Sequence, residues 1–117
     1  MSEFSVEQIL DMQRQLQERY KAVWSPMCPQ EGQNQLLWMI CELGEVIEII
    51  KKKGAGQIMD DASVRHDFVE EMADVLMYYS DVMLCYDVSA DELRQSFESK
   101  WARNMQRWNV QTGKQEG

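Results

Sequence analysis

The sequence predicts an all-α bundle of four to five helices, and three observations carry that reading. Four segments space their apolar residues with helical period. No segment alternates with period two over the length of a strand. With 6 glycines and 2 prolines in 117 residues, long stretches carry no breaker. A hydrophobic share of 44% is enough for a core, and the length suits one domain. That domain is expected over residues 1–110. The closing "QTGKQEG" has no apolar period and is expected to be a flexible tail.

The first helix is expected to begin at Ser5. Ser5 and Gln8 have capping-box spacing, and Phe4 and Ile9 have the spacing of a hydrophobic staple. It runs to about Val23, where "WSPMCP" breaks it, because a proline ring neither donates nor tolerates the preceding turn. The second helix follows Pro29 and is expected to end at Gly54. Lys51, Lys52 and Lys53 suit its negative C-terminal dipole, and Gly54 suits a left-handed cap. "GAGQIMDDAS" reads as a loop. The third helix is expected from about Val64 to Tyr86. The fourth, opened by a Ser89–Glu92 capping box, is expected to reach about Trp108.

Charge and composition exclude several roles. Twenty acids against 12 bases give a formal charge of −8, which disfavours a nucleic-acid polymer as partner. A small phosphorylated ligand is still compatible, since a divalent cation can bridge acid to phosphate. No apolar run approaches the roughly 20 residues that span a bilayer, so no membrane partner is expected. "MSEFSVEQ" carries no signal-peptide pattern. Cys28, Cys41 and Cys85 form no paired motif and are expected to be reduced thiols in a cytoplasmic protein.

At about 100° per residue, Leu36, Met39, Ile40, Leu43, Val46, Ile47 and Ile50 fall in one arc of the second helix. This arc is its expected core face. Glu42 and Glu45 lie just off one edge, beside Trp38 and Ile49. The third helix repeats the arrangement. Phe68, Val69, Met72, Val75, Leu76, Tyr79, Val82 and Met83 make its arc, with Glu71 and Asp74 off the same edge around Tyr78. Residues three apart stack on one helix face. Two such helices packed antiparallel would gather four carboxylates, which repel unless a cation joins them. All-oxygen ligation favours Mg²⁺, with Mn²⁺ as the alternative. An ExxE pair alone is common on solvated helices; a second pair, ExxD, on a matching edge strengthens the case. Di-iron bundles need two Glu-x-x-His pairs, and His66 is the single histidine, which fits a surface or near-cap position.

"CELGEVIEI" followed by "EEMADVLMYYSDV" resembles the all-α nucleoside triphosphate pyrophosphohydrolases, the MazG-like superfamily, in its ExxE–loop–ExxD signature. "QNQLLWMICELGE" is similar to the helix start of that family, and "KWARNMQRW" to its closing Lys-x-x-x-Asn segment. The likeness runs from about Asn34 to Arg107, and the length resembles compact single-domain members such as the dCTP pyrophosphatases. Cys41 departs from the pattern, since many relatives carry a further acid there.

The resemblance implies a Mg²⁺-dependent enzyme that hydrolyses a (deoxy)nucleoside triphosphate to the monophosphate and pyrophosphate, in nucleotide-pool house-cleaning. It implies Glu42, Glu45, Glu71 and Asp74 as metal ligands. One signature glutamate, with Glu42 the candidate, would orient the attacking water as general base. It implies Asn34, Lys100 and Asn104 as substrate contacts, with Arg107 beside them on one face of the fourth helix. Phe97, Trp101, Met105 and Trp108 form the adjacent stripe. Tyr78 is a candidate for sugar or base, and Trp24 and Trp38 for stacking on a base. The resemblance also implies a homodimer or a dimer of dimers that completes the core or site between subunits. Two other readings stay open: a non-catalytic helical module that binds nucleotide, and a plain oligomeric bundle whose acids are surface charge.

Overall fold

A computed structural model of the chain describes residues 3–109 and 114–115. It is all-helical apart from one two-residue antiparallel pairing of Trp108–Asn109 with Lys114–Gln115. Most of the tail expected over residues 111–117, and the Trp108 side chain, lie outside the described residues. The chain divides into two units, Met1–Asp87 and Val88–Gly117. Among the described residues, no helix is long and apolar enough to cross a membrane.

In the first unit, α1 spans Val6–Arg19. Ser5 caps it, its hydroxyl accepting from the Gln8 amide at 3.1 Å. Phe4 is exposed, so no staple forms that buries it. A short 3-10 turn, Pro29–Glu31, leads into α2, Gly32–Asp60. Gly32 is buried against the Tyr86 ring, and a β-carbon there would run into that ring. α2 breaks at Gly54, whose φ of 80° and ψ of 164° suit glycine alone. The predicted break is therefore present, but the predicted loop is not. The chain resumes helix at once and continues to Asp60, with Ile58 buried. Burial of Ile58 offsets the weak helix propensity of "GAG".

Asp61 is the only residue between α2 and α3, which spans Ala62–Cys85. Its carboxylate accepts from the Ser63 and Val64 amides at 3.0 and 3.2 Å, so α3 starts earlier than expected. With a one-residue link, α2 and α3 fold back on each other and pack along their length. α1 packs against α3.

The core is small: Leu10, Ile58, Met83 and Cys85 are its buried apolar side chains among the described residues. The arcs predicted as core are largely uncovered. Leu36, Ile40, Leu43, Ile47 and Ile50 on α2 are exposed, Ile40 by 58%. Val69, Met72, Leu76 and Tyr79 on α3 are exposed as well. Three helices leave α2 with more apolar circumference than they can cover. Cys28, Cys41 and Cys85 are free thiols, Cys85 buried and its Sγ 3.8 Å from Met27 Sδ.

In the second unit, α4 spans Ala90–Arg107. Its capping box is complete: the Glu92 amide donates to the Ser89 hydroxyl, and the Ser89 amide donates to the Glu92 carboxylate. The Phe97, Trp101 and Met105 stripe is exposed.

Candidate metal and ligand site

The middle of the α2–α3 pair gathers acids. One carboxylate oxygen each from Glu42, Glu71 and Asp74 lie within 4.8 Å of one another, and all three residues are half-buried. Helical spacing explains the meeting. Glu71 and Asp74 are neighbours on one face of α3, and Glu42 comes from the facing edge of α2. Of the four predicted metal ligands, three converge. Glu45 is exposed and outside that group, although its charge reaches Glu71.

Glu71 carries the strain of this arrangement. Burial pushes its carboxyl above the ordinary carboxylate range, and the hydrogen bond and charge of Glu42, then the charges of Asp74 and Glu45, push it further. Its Oε2 is inaccessible to solvent and has no hydrogen-bond partner among the described residues. A buried polar atom without a partner costs roughly 1–3 kcal/mol, so the lone pair calls for a proton or a cation. Three carboxylate oxygens within 4.8 Å of one another are near enough for Glu42, Glu71 and Asp74 to share one cation. The donor set is all carboxylate, the chemistry of a hard cation.

Beside the acids lies a cavity of about 430 Å³ within the first unit, in the size range of small-molecule sites. Trp24, Trp38 and Tyr78 supply aromatic wall, and Asp74 brings the acid cluster to its edge. Trp24 is held by stacking on Tyr20, ring centroids 4.6 Å apart. The Tyr78 hydroxyl is raised above its ordinary pKa by burial, then by the charges of Glu42, Asp81 and Asp74. Glu71 itself lines a smaller hollow together with Glu45, Lys53 and Glu70 among others.

Two cavity residues escaped the sequence reading. Gln13 of α1 and Asp81 of α3 are 4% and 5% exposed, and Gln13 Nε2 donates to Asp81 Oδ1 at 2.9 Å. Burial raises the Asp81 carboxyl, against the lowering effect of hydrogen bonds from Gln13 and Gln17. A signal was present: Glu71, Asp74, Tyr78 and Asp81 are spaced 3, 4 and 3 apart, one polar stripe along α3.

Asn34 is exposed and donates to Glu31 at 3.2 Å. Lys100, Asn104 and Arg107 are exposed on α4, in the second unit. His66 is exposed beside Asp67 and Glu70, as a surface histidine should be. No protein-family model, curated protein or solved structure matches the chain.

Proposed function

We propose that the chain is a Mg²⁺-dependent nucleoside triphosphate pyrophosphohydrolase. The observation that carries the reading is the convergence of Glu42, Glu71 and Asp74, with the orphaned Glu71 Oε2, at the edge of an aromatic-walled cavity. The sequence resemblance in ExxE and ExxD supports it. A surface cluster of acids would be solvated; this one is half-buried and keeps an unpartnered oxygen, a cost that a bound cation repays.

In this reading Glu42, Glu71 and Asp74 hold the cation, and the charge of nearby Glu45 adds to the negative potential there. When bound, the cation neutralises phosphate charge and makes water easier to deprotonate. The nucleoside lies in the cavity, its base against Trp24, Trp38 and Tyr78. Glu42 takes a proton from the attacking water as general base. The water oxygen bonds to the α-phosphorus, the bond from that phosphorus to the α,β-bridging oxygen breaks, and pyrophosphate leaves with that electron pair. The assignment of Asn34, Lys100, Asn104 and Arg107 to substrate contact rests on the resemblance alone. A homodimer or dimer of dimers gives the exposed α2 face and the Phe97, Trp101 and Met105 stripe an apolar partner, since faces of this kind mark association sites.

The test is pyrophosphate release from a panel of ordinary and modified ribo- and deoxyribonucleoside triphosphates with Mg²⁺ or Mn²⁺. At least one is turned over, and Asp74→Asn lowers kcat/KM by about a hundredfold or more in protein that still melts cooperatively. No product from any of them overturns the enzymatic reading. Tight nucleotide binding without turnover would then establish the non-catalytic alternative.

A further inference from the structure

Cys85 is a buried thiol that the chemistry above leaves unused. It is 2% exposed, at the C-terminal end of α3. The stretch of chain that enters α2 packs against it. Met27 Sδ is 3.8 Å from the Cys85 sulfur. Gly32 meets the ring of Tyr86, the C-cap of α3. Cys28 stands between these two contacts, half-buried and in extended backbone at the start of the 3-10 turn. Its amide is placed to donate to the Cys85 sulfur.

We propose that Cys28 and Cys85 are a reversible thiol–disulfide site, oxidised by a peroxide, that fastens one wall of the cavity to α3. The inference is independent of the nucleotide reading and stands whether or not a triphosphate is cleaved.

Geometry supports this first. A disulfide joins α-carbons about 4.4–6.8 Å apart. An amide that reaches the Cys85 sulfur holds its own α-carbon, one bond of about 1.5 Å away, in that neighbourhood. Contacts on both sides, at Met27 and Gly32, keep this stretch against the end of α3. Cys41 has no such place. It is exposed and lies nine residues beyond Gly32 on α2, about 13 Å along the axis.

Exposure then divides the roles. A peroxide meets half-buried Cys28 before it meets Cys85. The Cys28 thiolate attacks one peroxide oxygen, so that an S–O bond forms as the O–O bond breaks. Cys28 is oxidised to a sulfenic acid, and the other oxygen leaves as hydroxide and takes up a proton as water. Cys85 gives up its proton and attacks the Cys28 sulfur. The S–S bond forms, the S–O bond breaks, and a second water leaves. Two thiols and one peroxide thus give one disulfide and two waters. Burial raises the Cys85 thiol above its ordinary value, ahead of the charges of Asp81 and Cys28. Such a thiol is a poor target for an oxidant in solution and reacts through the neighbour held beside it.

The bridge has a structural consequence. Val23, Trp24 and Met27, in the connection between α1 and α2, line the cavity together with Asp74 and Tyr78 of α3. A bond at Cys28 ties that connection to α3 and removes freedom from the unfolded chain.

The experiment treats the folded full chain with hydrogen peroxide. Intact and peptide mass spectrometry, with and without dithiothreitol, are followed by thermal melting. The expected product is one Cys28–Cys85 bridge, lighter by two hydrogens and reversed by dithiothreitol. The bridged chain melts higher by about 5 °C or more. Cys41→Ser forms the same bridge, and Cys28→Ser forms none. Cys85→Ser leaves a Cys28 sulfenic acid that dimedone traps. Cys28→Ser, at a half-buried position, carries the test by itself should Cys85→Ser fail to fold. No bridge in the folded chain, a bridge that takes Cys41 in place of either partner, a bridge that forms only in urea, or a bridged chain that melts no higher than the reduced one overturns the inference.

Discussion

The two ends of α3 differ in what covers them. From Ala62 to Tyr79 no side chain is fully buried, and this stretch carries Glu71 and Asp74. From Ser80 to Cys85 four residues are buried, Ser80, Asp81, Met83 and Cys85. Along the first stretch the acids face α2. Along the second, α1 adds a further layer through Leu10 and Gln13, both buried. The difference teaches where each job is placed. The covered end holds a fixed polar pair, Gln13 and Asp81, because burial and their mutual hydrogen bond lock both side chains. The open end leaves room at the acid cluster for the phosphate chain and hydrated cation of the proposed function, which a tight core would exclude.

The contrast can be broken first from the covered end. Leu10 is 1% exposed, and Leu10→Ala removes the main apolar hold of α1. A loss of about 2–5 kcal/mol is expected from cavity-forming substitutions of this kind. Chemical denaturation reads it directly. Cation binding at the acid cluster should survive in the fraction that stays folded, whereas nucleoside affinity should fall. Equal loss of both would mean the two ends do not act separately.

A smaller effect is expected at the α2 break. Gly54 has open space around it, so Gly54→Ala meets no clash. Its φ of 80° and ψ of 164° nevertheless lie where side-chain-bearing residues pay about 1–3 kcal/mol. Thermal melting should show that loss with no change in Mg²⁺ affinity at the acid cluster.

The smallest effect sharpens the comparison through pH. The Asp81 carboxyl is raised above its ordinary value in the folded chain, chiefly by burial. The folded state thus holds that proton more tightly than the unfolded chain does. The corresponding stability is fully present below the ordinary aspartate range and is lost as pH rises through the raised value. Ionised Asp81 therefore costs stability near neutrality. Asp81→Asn should melt higher than wild type at pH 7, and the gap should close as the pH falls. A variant that melts lower at pH 7 would show that the amide donors outweigh the burial.

Much of this was legible in the sequence, and the misses have physical causes. The paired spacings brought Glu42, Glu71 and Asp74 to one point, because helical geometry converts spacing into direction, while Glu45 stays exposed outside that group. The Ser5 and Ser89 caps were legible for the same reason. The helix after Gly54 was missed because glycine content speaks for local freedom, while Ile58 is held by tertiary burial. The core arcs of α2 and α3 were read as buried because apolar period shows that a face wants cover without saying what covers it. Asp81 was passed over as one acid in the apolar run "LMYYSDVMLCY". Its meaning depends on Gln13, distant in the chain, and no periodicity links the two.

The central claim is that Glu42, Glu71 and Asp74 act together as one cation site. Isothermal titration of Mg²⁺ and Mn²⁺ into metal-free wild type and Glu71→Gln tests it most directly. Saturable binding in wild type, weakened about tenfold or more in the variant while the variant's fold is intact, is the predicted result. No saturable binding, or identical binding by both chains, would contradict it.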